Sequence, residues 1–130
     1  MPVKGRYLHT MLHVVDLERS VDFYVKLFGM RELRRGGSVE EGRRNVFLGY
    51  GEEALVTVLE LTERRDRPDL THGNAFGHLA IGTADVAGAV DWLRGEGASI
   101  AREPFTLPNG LVIAFISDPD GYEIELVQRQ

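Results

Sequence analysis

The chain has 130 residues, 43% of them hydrophobic and 27% charged, with a formal net charge of −5 and no cysteine. That length suits one domain with its own core, and the lack of cysteine excludes disulfides, thiolate metal sites and thiol nucleophiles, leaving His, Asp and Glu as metal donors. The acidic balance, with cations interspersed among acids as in Glu40-Glu41-Gly42-Arg43-Arg44, offers no basic stripe, so no nucleic-acid partner is expected. No apolar run nears the ~18 residues that span a bilayer, and Met1 to Arg6 lacks the apolar stretch of a signal peptide; the expectation is a cytoplasmic protein without membrane contact.

Tyr7 to Val15 reads as a strand, with Leu8, Leu12, Val14 and Val15 as its bulk. Asp16 has the character of a helix N-cap. Val21, Tyr24, Leu27 and Phe28 follow at helical spacing, and Gly29 fits a C-terminal stop. Met30 to Arg34 reads as a short strand, and Gly36-Gly37 through Arg44 as a polar loop. Val46 to Tyr50 and Ala54 to Leu61 read as two strands around a turn at Gly51. The polar stretch 63–75 reads as a linker. Phe76 to Thr83 is strand-like, Asp85 is a second N-cap, and Val86, Ala89, Val90 and Leu93 predict a helix ended by Gly95 or Gly97. Ser99 to Arg102 reads as a strand and Leu107-Pro108-Asn109-Gly110 as a turn. Leu111 to Ser117 and Tyr122 to Val127 read as strands joined by the turn Asp118-Pro119-Asp120-Gly121. Trp92 and Phe23 fall at equivalent helix positions and are read as core; His72 is given no role.

The two halves repeat. His9 corresponds to His78, Asp16 to Asp85, and Val21-Asp22-Phe23 to Val90-Asp91-Trp92, each at a shift of 69, while Leu59-Glu60-Leu61 corresponds to Ile124-Glu125-Leu126 at a shift of 65. The difference falls among loops, where changes in length cost least. The prediction is an α+β domain over 1–130, made of two tandem βαβββ repeats, 7–62 and 76–128, joined by the linker.

Each half carries a His in its first strand and a Glu in its last. Strand alternation puts Glu60 in a row with Val56 and Val58, flanked by Leu59 and Leu61; Glu125 lies between Ile124 and Leu126, and His78 near Phe76, Leu79 and Ile81. An ionised carboxylate in such a setting costs several kcal/mol unless paired or metal-bound. Taken singly, a strand His or Glu is more often structural. Four at equivalent positions of two repeats form an N2O2 donor set suited to Zn, Ni, Co, Fe or Mn, with two coordination positions left open for water or substrate.

The stretches Leu8-His9-Thr10-Met11-Leu12, Asp16-Leu17-Glu18-Arg19-Ser20-Val21-Asp22-Phe23-Tyr24, Leu27-Phe28-Gly29-Met30, Leu59-Glu60-Leu61-Thr62, Phe76-Gly77-His78-Leu79-Ala80 and Asp118 to Leu126 resemble glyoxalase I, of the vicinal-oxygen-chelate superfamily, over about Leu8 to Val127. The helix motif and the Asp-Pro-Asp-Gly turn are shared across that superfamily. Carboxylates at both the second and fourth ligand positions, with the His9-Thr10-Met11 context, point to glyoxalase I itself.

The resemblance implies an open U-shaped barrel and a homodimer with sites at the interface, with pairing of the two modules inside one chain as the alternative. One site would join His9 and Glu60 of one protomer to His78 and Glu125 of the other around one divalent metal. Nickel or cobalt is expected in short forms such as this, with zinc the alternative. It also implies conversion of the hemithioacetal of methylglyoxal and glutathione to S-lactoylglutathione by proton transfer through an enediolate. Glu125 would be the base and Glu60 its counterpart, able to serve the other enantiomer. Three positions where the family grips the thiol differ: His13 stands where Arg is common, Arg64 where Asn is common, and Leu107-Pro108-Asn109-Gly110 replaces a Lys-Gly segment. His13 shares a strand face with His9 and Met11, so His13, Met11 and Arg64 are the candidate substrate contacts. Two alternatives stay open: another enzyme of the superfamily acting on a different thiol adduct or a CoA ester, and a metal-free resistance-type binding protein. Glu60, where an epimerase is expected to carry Gln, and the complete donor set weigh against them.

Overall fold

The computed structural model describes residues 1–129 and divides into two compact units, Met1–Leu70 and Thr71–Gln130. The first unit runs β1 (His9–His13), α1 (Leu17–Asp22) continued by a π-helical turn (Phe23–Leu27), β2 (Arg31–Ser38), β3 (Arg43–Gly49) and β4 (Val58–Arg64). The second runs β5 (Leu79–Thr83), α2 (Val86–Gly95), β6 (Ser99–Thr106), β7 (Val112–Ser117) and β8 (Glu123–Gln128). Each is a βαβββ module whose four strands form one mixed sheet, in the orders β1-β4-β3-β2 and β5-β8-β7-β6. In each sheet the first strand pairs parallel with the last and the remaining pairs are antiparallel.

The duplication extends to details of the chain. Asp16 caps α1 by accepting from Arg19 N, and Asp85 caps α2 by accepting from Gly88 N. The next backbone N–H of each helix donates to a side chain at the end of the module's last strand: Leu17 N to Glu63 Oε2 at 2.8 Å, and Val86 N to Gln128 Oε1 at 3.0 Å. Helix N-termini leave such donors unsatisfied, so each strand end completes the cap of its own helix. Both modules also break register near the start of their second strand, between Glu32 and Arg34 and between Ile100 and Arg102.

Alternation divides each sheet into two faces. In the first unit Leu12, Val46, Leu48, Leu59 and Leu61 share the face that packs on Leu17, Val21 and Tyr24, all buried. In the second, Ala114, Ile116, Ile124 and Leu126 pack on Val86, Val90 and Leu93. The opposite faces carry the candidate donors. The helix α2 ends in a Schellman arrangement: Gly97, at φ +88°, donates to Arg94 O and Ala98 donates to Leu93 O.

Several expected boundaries move. The predicted Gly36–Arg44 loop is largely strand, because Gly36 pairs with Asn45 and Gly37 with Arg44. A Cβ on Gly36 would meet Asn45 Oδ1 at 2.7 Å and one on Gly37 would meet Arg43 O at 2.1 Å, so these glycines permit close strand approach instead of breaking the strand. Glu53 to Leu55 forms a turn, with Leu55 N and Val56 N both donating to Glu52 O, and β4 begins only at Val58. Val56 is therefore outside the strand row with Glu60. The expected linker 63–75 gives up Glu63 and Arg64 to β4, and Phe76 to His78 precede β5. Trp92 is half exposed and does not belong to the core.

Candidate metal centre

The face of the first sheet that turns away from α1 brings His9, Met11 and His13 of β1, Asn45 and Phe47 of β3, and Val58, Glu60 and Thr62 of β4 together. The ladder fixes this: Met11 and Phe47 both lie opposite Glu60, and His13 and Asn45 both lie opposite Thr62. Glu60 is buried, with 6% of its surface exposed. Its Oε1 faces His9 Nε2 at 3.2 Å. Its Oε2 accepts from Thr62 Oγ1 at 2.7 Å and from Asn45 Nδ2 at 3.1 Å, with the Arg43 guanidinium 3.8 Å away. The His9 ring stands edge-on to Phe47, with centroids 5.2 Å apart. A carboxylate removed from water needs such donors, and sequence reasoning missed all of them. Thr62 was findable as the next residue on the same strand face; Asn45 and Phe47 needed the β3–β4 register.

The second unit repeats the arrangement. Phe115 lies opposite Glu125, as Phe47 lies opposite Glu60. The His78 ring stands edge-on to Phe115 at 5.4 Å, and His78 Nε2 faces Glu125 Oε1 at 3.7 Å. Both pairs thus present the imidazole Nε2 to a carboxylate oxygen. Glu125 is more exposed than Glu60. His78 sits just before β5 and not within a strand, but one turn of alternation from Ala80, which pairs with Glu125, so it still reaches the Glu125 face.

The structure therefore joins His9 to Glu60 and His78 to Glu125. Among the described residues no group of three or more such donors gathers. Two ligands of one ion, each bonded at about 2.1 Å, stand roughly 3 Å apart, and the spacing within each pair is of that order. Imidazole nitrogen with carboxylate oxygen, and no sulfur, is also the donor chemistry of the divalent set named from the sequence.

The candidate substrate contacts differ among themselves. Met11 is partly exposed beside Glu60. Arg64 points its fork at Asp66, with Nε and one amino nitrogen 2.9 and 2.8 Å from the two carboxylate oxygens. His13 has its imidazole held below the ordinary histidine range by burial first, then by Arg67 and Arg64, with Asp66 opposing. The unfolded chain thus takes up a proton that the folded chain resists. His13 contributes stability above its unfolded pKa of about 6.5, and that contribution is lost as the pH falls from there toward the folded value. The denaturant midpoint of the apoprotein should fall more steeply between about pH 7.5 and about pH 5.5 than that of His13→Gln; parallel profiles would contradict this. His72, which sequence reasoning left idle, braces the Asp118–Gly121 turn. Its Nε2 lies 2.9 Å from Asp120 O and its ring 4.4 Å from that of Tyr122.

A duplicated βαβββ module with a His/Glu pair on the sheet face away from each helix defines a glyoxalase-like, vicinal-oxygen-chelate protein. Residues 6–126 match the Glyoxalase/Bleomycin resistance protein/Dioxygenase superfamily. A probable lactoylglutathione lyase of Vibrio cholerae is 44% identical over 126 residues, covering 96% of this chain and 91% of that protein. Among solved structures, glyoxalase I from Zea mays superimposes with a TM-score of 0.88 at 40% identity, covering 95% of this chain and 44% of that one, so this chain spans less than half the maize protein. The trypanothione-dependent glyoxalase I of Leishmania major superimposes with a TM-score of 0.83 at 43% identity, covering 95% of this chain and 86% of that one. The chain belongs to this superfamily and, within it, to the lactoylglutathione lyase (glyoxalase I) family.

Proposed function

We propose that the chain is a metal-dependent lactoylglutathione lyase that converts the methylglyoxal–glutathione hemithioacetal to S-lactoylglutathione, with His9, Glu60, His78 and Glu125 as the metal ligands. The observation that carries this reading is the pairing of His and Glu at equivalent places in both modules of a chain 44% identical to a probable lactoylglutathione lyase over nearly its whole length. The two modules act as one glyoxalase-like domain in the cytoplasm, and the physiological metal is nickel or cobalt, with zinc the competing choice.

His9, Glu60, His78 and Glu125 would hold a divalent ion, which would supply Lewis-acid stabilisation of developing negative charge on the substrate. The chain's own groups do the rest. Glu125, partly exposed and next to His78, takes the proton from one carbon and returns it to the neighbour. Glu60 has its Oε1 in the equivalent place and is set to serve the opposite enantiomer. Phe47 and Phe115 wall the two pairs with apolar surface, which keeps water protons away from the enediolate and limits loss of the thiol. Met11 and His13, on the Glu60 face, are the side chains we assign to the adduct, and Arg64 would have to leave Asp66 to take the thiol's carboxylate.

Each unit supplies one pair, so a complete site needs both kinds of module; following the family resemblance, we assign it to a homodimer in which His9 and Glu60 of one protomer meet His78 and Glu125 of its partner. The test is the assay of apoprotein reconstituted separately with nickel, cobalt and zinc on methylglyoxal plus glutathione, following thioester formation. Turnover with nickel or cobalt is expected. Stoichiometric metal binding without turnover would reject glutathione as the thiol, and trypanothione, the thiol named for the Leishmania major relative, would be tried next.

A further inference from the structure

The two modules are not equivalent around their carboxylates. Glu60 Oε2 is held by the Thr62 hydroxyl and the Asn45 amide. Carrying the repeat over by register, with Phe47 onto Phe115 and Glu60 onto Glu125, Asn45 falls on Ile113 and Thr62 on Val127. Neither side chain has anything to donate. Thr62 and Val127 have nearly the same shape, so packing alone does not ask for a hydroxyl in the first module. The space is also specific: Gly36 lies opposite Asn45, and a Cβ there would stand 2.7 Å from Asn45 Oδ1. A side chain at position 36 would push the amide away from Glu60.

We infer that Asn45 and Thr62 are positioning residues that pin the Glu60 carboxylate through Oε2 and aim its Oε1 at the metal, with Gly36 clearing the room for the amide. The inference rests on the proposed function, since it assumes that Glu60 is a ligand. The physical reason is the cost of orientation. A carboxylate with one oxygen fixed by two donors loses little freedom when the other binds an ion, and its ligand geometry is set in advance. At the equivalent positions of its own module Glu125 has Ile113 and Val127, whose side chains are not donors. It is the freer carboxylate, as the principal proton carrier should be.

The experiment titrates nickel(II) ions into the apoprotein and reads the dissociation constant, with the apoprotein's unfolding midpoint as control. Thr62→Val keeps the shape and removes the donor, and about a tenfold or greater loss of nickel affinity is expected. Thr62→Ser restores the hydroxyl and should restore the affinity. Gly36→Ala leaves both donors in the chain but displaces the Asn45 amide, and a loss in the same direction is expected, so the test survives if Thr62→Val fails to fold. Wild-type affinity in both Thr62→Val and Gly36→Ala, while the unmodified protein binds nickel, would overturn the inference and leave the proposed function standing. A loss in Thr62→Val that Thr62→Ser does not repair would also overturn it. Failure of the unmodified protein to bind nickel, cobalt or zinc would remove the proposed function itself, and the inference with it.

Discussion

Glu125→Gln is expected to lower kcat by about 10²- to 10⁴-fold, the usual contribution of a positioned acid–base group, while changing KM far less. The substitution keeps an oxygen facing His78 and keeps the volume between Phe115 on β7 and Ala80 on β5, its cross-strand neighbours. It removes the negative charge and the basicity that accept a proton. Because an amide oxygen can still ligate weakly, the metal content of the purified variant must be measured beside its kinetics. A variant that holds metal and has lost turnover places the defect in proton transfer. A variant that holds metal and turns over within a factor of about three of wild type would exclude Glu125 as the base and move that role to Glu60. The mirror substitution, Glu60→Gln, also disturbs the donors at Thr62 and Asn45, so it is the less clean of the two.

The largest stability effect is expected at Leu61. It lies between Glu60 and Thr62 in sequence but on the other face of β4, fully buried between its neighbours Leu12 on β1 and Val46 on β3. Leu61→Ala removes buried methyl groups and leaves a cavity that the flanking strands cannot close without breaking their ladders. The expected cost is about 2–5 kcal/mol, which for a chain of this size corresponds to a fall in Tm of roughly 6–25 °C. Leu55→Ala is the control: Leu55 is 74% exposed in the turn before β4, and its truncation should stay within about 0.5 kcal/mol. Thermal or denaturant unfolding of the apoprotein checks both. A cost below about 1 kcal/mol at Leu61 would mean that the helix-facing side of the first sheet is not packed as described.

Much of the site was legible because it is repeated. A single His or Glu in a strand says little, but the shift of 69 from His9 to His78 and of 65 from Glu60 to Glu125 marked four positions at once, and the structure pairs them as two His/Glu contacts. The helix starts were equally legible, since Asp16 and Asp85 cap by a local chemistry that needs no tertiary knowledge. So was the Asp118–Gly121 turn, where Asp118 Oδ1 accepts from Asp120 N and Tyr122 N and Gly121 takes φ +87°. What stayed hidden depended on register. Asn45 and Phe47 reach Glu60 and His9 only because β3 pairs with β4 as it does, and no local signal fixes that pairing. The strand ends at Gly36 and Gly37 were misread because glycine signals both a break and a close approach. Ala54 to Thr57 was misread because its apolar alternation matches a strand while its backbone closes a turn on Glu52. The face on which β4 carries Glu60 was right all the same, since alternation from Leu59 and Leu61 needs no knowledge of where the strand begins.

The central claim is that the two pairs are halves of one metal centre. Titration of nickel(II) into apoprotein, with His9→Ala and His78→Ala alongside the unmodified chain, tests it most directly. The account predicts one nickel per chain in the unmodified protein and loss of tight binding in either variant, because each removes one ligand from every complete site. Two nickel ions per chain, with each variant losing only one of them, would contradict it and make the pairs independent.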